Sequence, residues 1–335
     1  MTPAAQSWPR FAAAGAGRMG RSIALAFAWA GYRISLVDLK HRPEPERARL
    51  AADIDAELRA QLAALVDLGA LEADQSNAVL GRIQTVFADA AGAALGAAEL
   101  VFEGVPETLE AKRDAFALLS EHCAADAILT STTSSILVTD LAPLVTRPER
   151  FLNIHWLNPA YLIPVVELSV HPGTDPAVVA RARALMESIG KMPVVCGATP
   201  GYIVPRLQAL IMNEAARMIE EGAATAEEID RATRYGMGLR FAAIGVVEFI
   251  DFGGADILHH ASREMSASVS AERYRAPEVI GRMMAQGDLG LKTGRGFYDY
   301  QSRDVAAYRR DVLSRTLAML RHAGGFRPAS RDTIS

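Results

Sequence analysis

The chain has 335 residues, of which 50% are hydrophobic, so it can bury a sizeable core and is predicted to form two domains. Its formal net charge is only −4 and it has no long basic block, which argues against nucleic acid or an anionic membrane as a partner. Cys123 and Cys196 lack the spacing of a metal site and suit a reducing compartment. There is no signal-peptide pattern and no apolar run that could span a bilayer, so we expect a cytoplasmic protein without a bound metal.

Short apolar runs alternate with helical patterns in the first part of the chain. Phe11–Ala14 is predicted to form a strand, Arg18–Trp29 a helix, and Tyr32–Val37 a second strand that ends at Asp38. This alternation predicts a mostly parallel sheet with helices on both faces. Further strands are predicted at Leu100–Val105, Ala127–Thr130, Phe151–Leu157, Val165–Val170 and Pro193–Cys196.

The strand signals stop after Gly201, where a long amphipathic helix is predicted over Ile203–Glu221. Thr225 and Glu228 form a capping-box pattern for the next helix, and a final helix is predicted over Val305–Arg321. We therefore expect a domain boundary near Ala198. The predicted organisation is an α/β Rossmann-type domain over residues 1–197, an all-α domain over 198–323 and a short frayed tail over 324–335.

A glycine-rich turn follows the first strand and opens the first helix. Gly15, Gly17 and Gly20 form the GxGxxG pattern, in which the glycines allow a tight turn, the approach of a pyrophosphate and close packing of the helix on the strand. Asp38 ends the second strand, where a carboxylate accepts hydrogen bonds from an adenine ribose and repels a 2′-phosphate. These residues predict an NAD site. Lys40 and Arg42 are nearby cations that could bind a 2′-phosphate, so they weaken the predicted preference for NAD over NADP.

The stretch Phe151–Ser169 contains two apolar runs separated by a bend with two prolines. If the chain folds back there, His155 and Glu167 come to lie opposite one another. An imidazole oriented by a carboxylate is the usual group for taking a proton from an alcohol near neutral pH. The alternative, from this stretch alone, is a core histidine that only satisfies its hydrogen bonds.

Together these motifs are similar to those of the 3-hydroxyacyl-CoA dehydrogenase family over nearly the whole chain, as far as GLKTGRGFYDY at 290–300. Ser134, in STTSS, precedes His155 at the spacing that the family keeps. An Asn-Pro pair that begins at Asn158 follows, and then the glutamate of the family's catalytic dyad, which matches Glu167. The resemblance implies that His155 removes the hydroxyl proton while hydride leaves for the nicotinamide, and that Glu167 orients the imidazole.

The same resemblance implies the other site residues. Ser134 is expected to hydrogen-bond the reacting oxygen of the substrate or the nearby cofactor. The family also implies a homodimer assembled through the helical domain. Beyond the glycine turn and Asp38, the positions that match the family's cofactor contacts are Glu107, Lys112, Ser134, Asn158 and Lys292.

Two departures from the family pattern argue against a CoA thioester as substrate. The second domain opens with GYIVPR, so Pro205 stands where CoA-acting members carry an asparagine that contacts the substrate. The insertion between Glu44 and Gln75, predicted to form a helical hairpin, contains no lysine, whereas lysines there suit the phosphates of CoA.

A third departure indicates the substrate class. Gly236–Gly245 reads GMGLRFAAIG, which is similar to the branch that oxidises free hydroxy acids, represented by L-gulonate 3-dehydrogenase (the lambda-crystallin type) and L-carnitine dehydrogenase. Arg240 is then predicted to clamp the carboxylate of the substrate, because a guanidinium offers two parallel donors. The alternative is an ordinary ion pair of Arg240 with Glu248 or Asp251.

The sequence therefore predicts an NAD-dependent dehydrogenase of a small free 3-hydroxycarboxylic acid such as 3-hydroxybutyrate, L-gulonate or a carnitine-like compound. One alternative is a 3-hydroxyacyl-CoA dehydrogenase that binds its thioester substrate through different contacts. An alternative of another class is a structural or regulatory NAD-binding protein with little turnover. The presence of both His155 and Glu167 argues against that last interpretation, because a binding protein needs no proton acceptor.

Overall fold

A computed structural model describes residues 9–325, and the described part contains one eight-stranded sheet. The strands are β1 (Phe11–Ala14), β2 (Ile34–Val37), β3 (Ile83–Val86), β4 (Leu100–Glu103), β5 (Ile128–Ser131), β6 (Phe151–Trp156), β7 (Val165–Val170) and β8 (Met192–Gly197). Their order in the sheet is β3-β2-β1-β4-β5-β6-β7-β8. All neighbours are parallel except β6 and β7, which pair antiparallel.

The helices that follow these strands cover both faces of the sheet. Along β1, Phe11 and Ala13 belong to one buried cluster, whereas Ala12 and Ala14 belong to the other. A parallel sheet that is buried on both faces requires such continuous apolar strands. The helices are α1 (Arg18–Trp29), α2 (Glu44–Asp67), α3 (Ser76–Leu80), α4 (Ala88–Gly96), α5 (Leu109–His122), α6 (Val138–Leu141) and α7 (Pro176–Ser188), with 3₁₀ turns at Ala73–Gln75, Ala142–Leu144 and Pro148–Arg150.

This architecture confirms the predicted Rossmann-type sheet, with two local differences. The sequence analysis missed β3, which reads IQTV and whose first three residues are only half-buried, so its apolar signal is weak. The insertion forms the single long helix α2, and the second arm of the predicted hairpin is reduced to the turn Ala73–Gln75 and the five-residue α3. The leucine and isoleucine stripe of α2 is buried as its spacing predicts.

The chain divides into two compact units between Ile211 and Met212, inside helix α8 (Val204–Glu220). The boundary predicted near Ala198 lies earlier, directly after β8. In the second unit follow α9 (Ala226–Arg231), a π-helical segment (Ala232–Gly238), α10 (Leu239–Ala243), α11 (Val246–Gly253), α12 (Ala255–Ser268), α13 (Ala271–Tyr274), α14 (Glu278–Gln286) and α15 (Val305–His322). The predicted all-α character is thus confirmed, while most of the predicted tail lies outside the described residues. No helix within residues 9–325 is long and apolar enough to cross a membrane.

Asp251 organises the loop that precedes α15. Its carboxylate is fully buried and accepts hydrogen bonds from the backbone N–H groups of Phe297 (3.0 Å) and Tyr298 (2.8 Å) and from the hydroxyl of Tyr300 (3.3 Å). Its backbone carbonyl accepts a further bond from the N–H of Leu291 at 2.9 Å. One acidic side chain therefore holds the GLKTGRGFYDY stretch, which has little regular secondary structure of its own.

We expect Asp251→Ala to lower the free energy of unfolding by about 3 kcal/mol or more, because three donors would lose a buried charged acceptor. Urea denaturation followed by circular dichroism measures this change. Asp299→Ala is the matched control, since Asp299 is exposed and accepts only from the nearby N–H of Gln301. Equal stability of the two variants would contradict the organising role of Asp251.

Candidate active site

The turn between β1 and α1 brings backbone segments unusually close together. Gly15 has a φ of 123°, and a Cβ atom there would lie 2.6 Å from the carbonyl oxygen of Gly104. A Cβ atom on Gly20 would lie 1.9 Å from the carbonyl oxygen of Gly15, so α1 can pack here only through glycine. A Cβ atom on Gly17, in contrast, would meet nothing within 4 Å. Gly17 therefore leaves open the face of the turn that a pyrophosphate approaches.

A cavity of about 220 Å³ lies beside this turn and is lined by Asp38, Lys40 and Arg42 together with Gly15 and Gly17. The N–H of Asp38 donates to the carbonyl of Val86 in β3 at 2.8 Å, which fixes the residue at the end of β2. Its carboxylate is almost fully buried and accepts from Nε of Arg42 at 2.6 Å. The carboxylate of Asp38 is placed to accept from the ribose of NAD. Arg42 is bound to that carboxylate and is therefore not free to bind a 2′-phosphate. The lining residues thus fit NAD.

His155 and Glu167 lie opposite each other in the antiparallel β6–β7 pair. His155 Nδ1 is 2.8 Å from Glu167 Oε2, and both side chains are buried. With Nδ1 engaged by the carboxylate, Nε2 is the ring nitrogen left to exchange a proton with a substrate. The bend between the strands thus produces the arrangement that the sequence predicts.

The second oxygen of Glu167 binds the start of α8. Oε1 accepts from the N–H of Ile203 at 2.9 Å and from the N–H of Val204 at 2.8 Å. Burial alone would favour the neutral acid, yet the hydrogen bonds from His155 and from these two amides hold the pKa of Glu167 below its usual value. The carboxylate is therefore charged at neutral pH and can stabilise a protonated His155. Pro205 lies in the first turn of α8, where the backbone N–H that proline lacks would have no intrahelical partner.

Glu107 shapes the turn that carries Ser134. One of its oxygens accepts from the N–H groups of Ser134 (3.0 Å) and Ser135 (3.1 Å) and from the hydroxyl of Thr133. Partial burial opposes ionisation, but these hydrogen bonds and the ammonium of Lys112 lower the pKa of Glu107 to about 2. A permanent negative charge thus fixes the turn, and the side chain of Ser134 remains exposed.

Lys112 is buried beneath this turn. Its Nζ lies 3.0 and 2.9 Å from the two oxygens of Glu103, 3.3 Å from Glu107 and 3.4 Å from the hydroxyl of Ser131. Only 1% of its surface is exposed. The structure thus places the amine against two carboxylates inside the protein, where it orients Glu107. Its contact with the cofactor stays a prediction.

The loop after β6 carries Asn158, whose side chain is exposed. Two anchors hold this loop: the N–H of Ala160 donates to the hydroxyl of Ser22 in α1 at 3.1 Å, and Lys191 donates to the carbonyls of Ala160 (2.6 Å) and Ile163 (2.8 Å). The anchor in α1 connects the loop to the helix that opens at the glycine turn. Asn158 is therefore held relative to the predicted dinucleotide site.

Arg240 and Lys292 belong to the second unit. The guanidinium of Arg240 lies over the ring of Phe249 at 5.9 Å and is exposed. Within the described residues no carboxylate lies within ion-pair distance of Arg240, while Glu248 accepts from the hydroxyl of Tyr308. The ion pair that the sequence left as an alternative is thus not formed. Lys292 is paired with Asp256.

Four residues that shape the site are not among those predicted from the sequence. Glu103 and Ser131 end the neighbouring strands β4 and β5 and surround the amine of Lys112, while Thr133 joins Glu107 to the serine turn. Tyr202 stacks on His155. A charged residue at the end of the apolar run LVFE was the one available signal for Glu103. The contacts of the other three join segments distant in sequence, which no local pattern reveals.

We expect Asp38→Ser to shift the preference for NAD over NADP, measured as the ratio of the two kcat/KM values, by about 10²-fold toward NADP. The variant loses a charged acceptor for the ribose and frees Arg42 to bind a 2′-phosphate, and a hydrogen bond to a charged group contributes about 1.5–3 kcal/mol. Initial rates with each dinucleotide give the ratio.

Glu46→Gln is the matched control, because Glu46 also contacts Arg42, at 3.6 Å, but is 60% exposed. Its ratio should stay within about twofold of the wild-type value, since exposed ion pairs contribute little. The double variant Asp38→Ser/Arg42→Gln should lose most of the gain with NADP. An unchanged ratio in Asp38→Ser would contradict the role of this carboxylate.

Both parts of the chain match one protein family. Residues 10–199 match the family model of the 3-hydroxyacyl-CoA dehydrogenase NAD-binding domain, and residues 201–300 match that of the C-terminal domain of the same family. In the solved structures, a 3-hydroxyacyl-CoA dehydrogenase from Archaeoglobus fulgidus covers 95% of this chain and is itself covered fully, with a TM-score of 0.73 and 28% identity.

Individual relatives include enzymes for different substrates. A 5-formyl-3-hydroxy-2-methylpyridine 4-carboxylate 5-dehydrogenase of Mesorhizobium japonicum is 30% identical over 92% of this chain and 96% of its own. A 3-hydroxyadipyl-CoA dehydrogenase of Escherichia coli is 34% identical over 90% of this chain, which spans 61% of that protein. Rabbit (Oryctolagus cuniculus) lambda-crystallin is 33% identical over 74% of this chain and 76% of its own. The chain belongs to the 3-hydroxyacyl-CoA dehydrogenase family and, like its members, is an NAD-dependent dehydrogenase that acts on a CH–OH group.

Proposed function

We propose that the protein oxidises the hydroxyl of a small, free 3-hydroxycarboxylic acid to the 3-keto acid, with NAD as the hydride acceptor. The observation that carries the proposal is the 2.8 Å contact between His155 Nδ1 and Glu167 Oε2 in a buried strand pair. This geometry leaves one imidazole nitrogen for the substrate and supplies a charged partner for the imidazolium that forms.

In the proposed reaction His155 Nε2 takes the hydroxyl proton as the C–O bond becomes a carbonyl. NAD, when bound, accepts the hydride from the same carbon. Glu167 stays ionised and stabilises the protonated imidazole, and the reverse reaction returns the proton to the carbonyl oxygen. Acid–base catalysis of this kind contributes about 10²- to 10⁴-fold. Ser134, on the turn fixed by Glu107, is proposed to hydrogen-bond the reacting oxygen, and Asn158 to orient the nicotinamide.

The substrate class rests on charge. Arg240 is an exposed guanidinium without a carboxylate partner in the part of the chain that the structure describes, so it is available to bind the carboxylate of a substrate. Helix α2 carries no lysine that could meet the phosphates of CoA. The Mesorhizobium relative, named for a pyridine carboxylate, supports the proposal of a free acid as substrate.

A CoA thioester is the second candidate. It is favoured by the relatives from Escherichia coli and Archaeoglobus fulgidus, both of which are named for CoA esters. Pro205 and the lysine-free helix α2 argue against it. The two candidates differ in what must bind the part of the substrate remote from the reacting carbon: one guanidinium for a free carboxylate, several cations for CoA.

The deciding experiment measures NADH formation by the purified protein with NAD and a panel of free acids, alongside 3-hydroxybutyryl-CoA. The acids are 3-hydroxybutyrate, L-gulonate, carnitine and 3-hydroxypropionate. A clear rate with a free acid supports the proposal, and a rate only with the thioester establishes the second candidate. His155→Ala should reduce turnover by about 10²-fold or more with unchanged NADH binding. NADH binding without oxidation of any compound would favour a binding protein.

We expect Arg240→Met to reduce kcat/KM for the preferred free acid by about 10²- to 10³-fold, because a bidentate charged contact with the substrate carboxylate is lost. NADH affinity, measured by fluorescence titration, should stay unchanged. Arg234→Met is the matched control, since Arg234 is an equally exposed arginine of the preceding π-helical segment. Equal effects of the two substitutions would argue against a carboxylate clamp at Arg240.

We also propose a homodimer that forms through α8. This helix has a strong apolar stripe and yet contains no buried residue, and Leu210 and Met212 are 64% and 68% exposed. An apolar face of this kind indicates a partner surface. Light scattering should give a mass of about twice 35.9 kDa.

The double variant Leu210→Glu/Met212→Glu should shift the mass toward the monomer, because two charges would have to be buried in the interface. Leu68→Glu is the control, since Leu68 is 79% exposed at the end of α2. A wild-type protein that is monomeric at micromolar concentration would overturn this assembly.

A further inference from the structure

Tyr202 has a backbone conformation that requires an explanation. Its φ is 48°, and it is the one non-glycine residue with a positive φ among residues 9–325. The left-handed conformation is unfavourable for a bulky residue, so it persists only where the surroundings fix it. The side chain is 5% exposed, which places this strained residue inside the protein rather than in a surface turn.

The ring of Tyr202 lies flat on the imidazole of His155. The two ring centroids are 4.6 Å apart and the planes differ by 14°. The next two residues along the chain, Ile203 and Val204, donate their N–H groups to Glu167. Three consecutive residues therefore contact both members of the His155–Glu167 pair, and the left-handed turn at Tyr202 brings the ring and the two amides to the same place.

The hydroxyl of Tyr202 fixes the ring from its far end. It donates to the carbonyl of Thr133 at 2.7 Å and accepts from Nδ2 of Asn153 at 3.1 Å. Asn153 lies in β6, two residues before His155, and Thr133 directly precedes Ser134. Burial raises the pKa of the phenol, so that the hydroxyl remains a donor throughout the working range of the enzyme. The ring is thus anchored at both ends and has no freedom to turn away.

We propose that Tyr202 is a positioning residue that holds the imidazole of His155 in the plane needed for proton transfer and stabilises its protonated form. This inference rests on the proposed role of His155 as the acid–base group. The face of a phenol ring attracts a cation, and the attraction is strongest where water is excluded, as it is here. The anchored hydroxyl additionally connects the imidazole with the turn of Ser134, so that the two groups proposed to contact the substrate oxygen share one support.

Two substitutions separate the ring from its hydroxyl. Tyr202→Asn removes the ring but tolerates the left-handed backbone, and Tyr202→Phe keeps the ring and removes only the hydroxyl. The assay uses NAD and the free acid with the highest rate or, if only a thioester reacts, 3-hydroxybutyryl-CoA. In Tyr202→Asn we expect kcat to fall about tenfold or more, with KM for NAD within about twofold of the wild-type value.

The pH dependence is the readout that a purely structural role would not change. Oxidation requires unprotonated His155, so loss of the stacked ring should move the acidic limb of the kcat/KM profile down by about half a pH unit. Tyr202→Phe should restore that limb and retain only a loss in kcat of a few fold, about the effect of losing one buried hydrogen bond. Tyr300→Phe controls for that loss, because Tyr300 is an equally buried tyrosine whose hydroxyl is bonded to Asp251.

A signature independent of turnover separates this inference from the proposed function. In ¹³C-histidine-labelled protein, the ring-current shift of the His155 resonance, assigned by its absence in His155→Ala, should be present in Tyr202→Phe and lost in Tyr202→Asn. If His155→Ala is active while the signature is present in the wild-type protein and lost in Tyr202→Asn, the acid–base role alone would be refuted. An unchanged pH profile in folded Tyr202→Asn would overturn the role of Tyr202. If that variant does not fold, a Tyr202→Phe variant that loses stability like Tyr300→Phe but keeps its full kcat would overturn it too.

Discussion

The site depends on the way in which one buried carboxylate divides its two oxygens. Glu167 gives one oxygen to His155 within the sheet and the other to the first amides of α8. A buried charge is stable only when such partners surround it, and the partially positive N-terminus of a helix adds to their effect. The same interaction therefore keeps the carboxylate partner of the imidazole ionised and fixes where α8 begins.

A second group of charges organises the opposite side of the site on the same principle. Lys112 pairs with both Glu103 and Glu107 beneath the serine turn, and Glu103 ends β4 at the edge where a parallel α/β sheet presents its binding crevice. The strands are rigid, and the ion pairs of Lys112 with Glu103 and Glu107 fix the turn of Ser134 relative to them.

Much of this could be predicted from the sequence, because local patterns carry the relevant signals. A few consecutive residues are enough to predict the glycine turn, the end of β2 at Asp38 and the two apolar runs around the proline bend. The bend itself predicts that His155 faces Glu167. Tyr202 could not be found in this way. Its partners lie in β6 and in the serine turn. A positive φ brings them together, and a tyrosine gives no sign of this conformation in the sequence, as a glycine or asparagine would. The weakly apolar β3 was missed for the related reason that its burial depends on its neighbours.

Lys191 makes the stability of the folded protein depend on pH. It binds the loop of Asn158 through two carbonyls and forms no ion pair with any residue of 9–325, so burial lowers its pKa from 10.5 to about 8. Over that interval the unfolded chain retains a proton that the folded protein has released, and the folded state gains stability as the pH rises. Oxidation of an alcohol also liberates a proton and is favoured by alkaline conditions. A rise in pH thus favours both the folded state, through Lys191, and the oxidation of the alcohol.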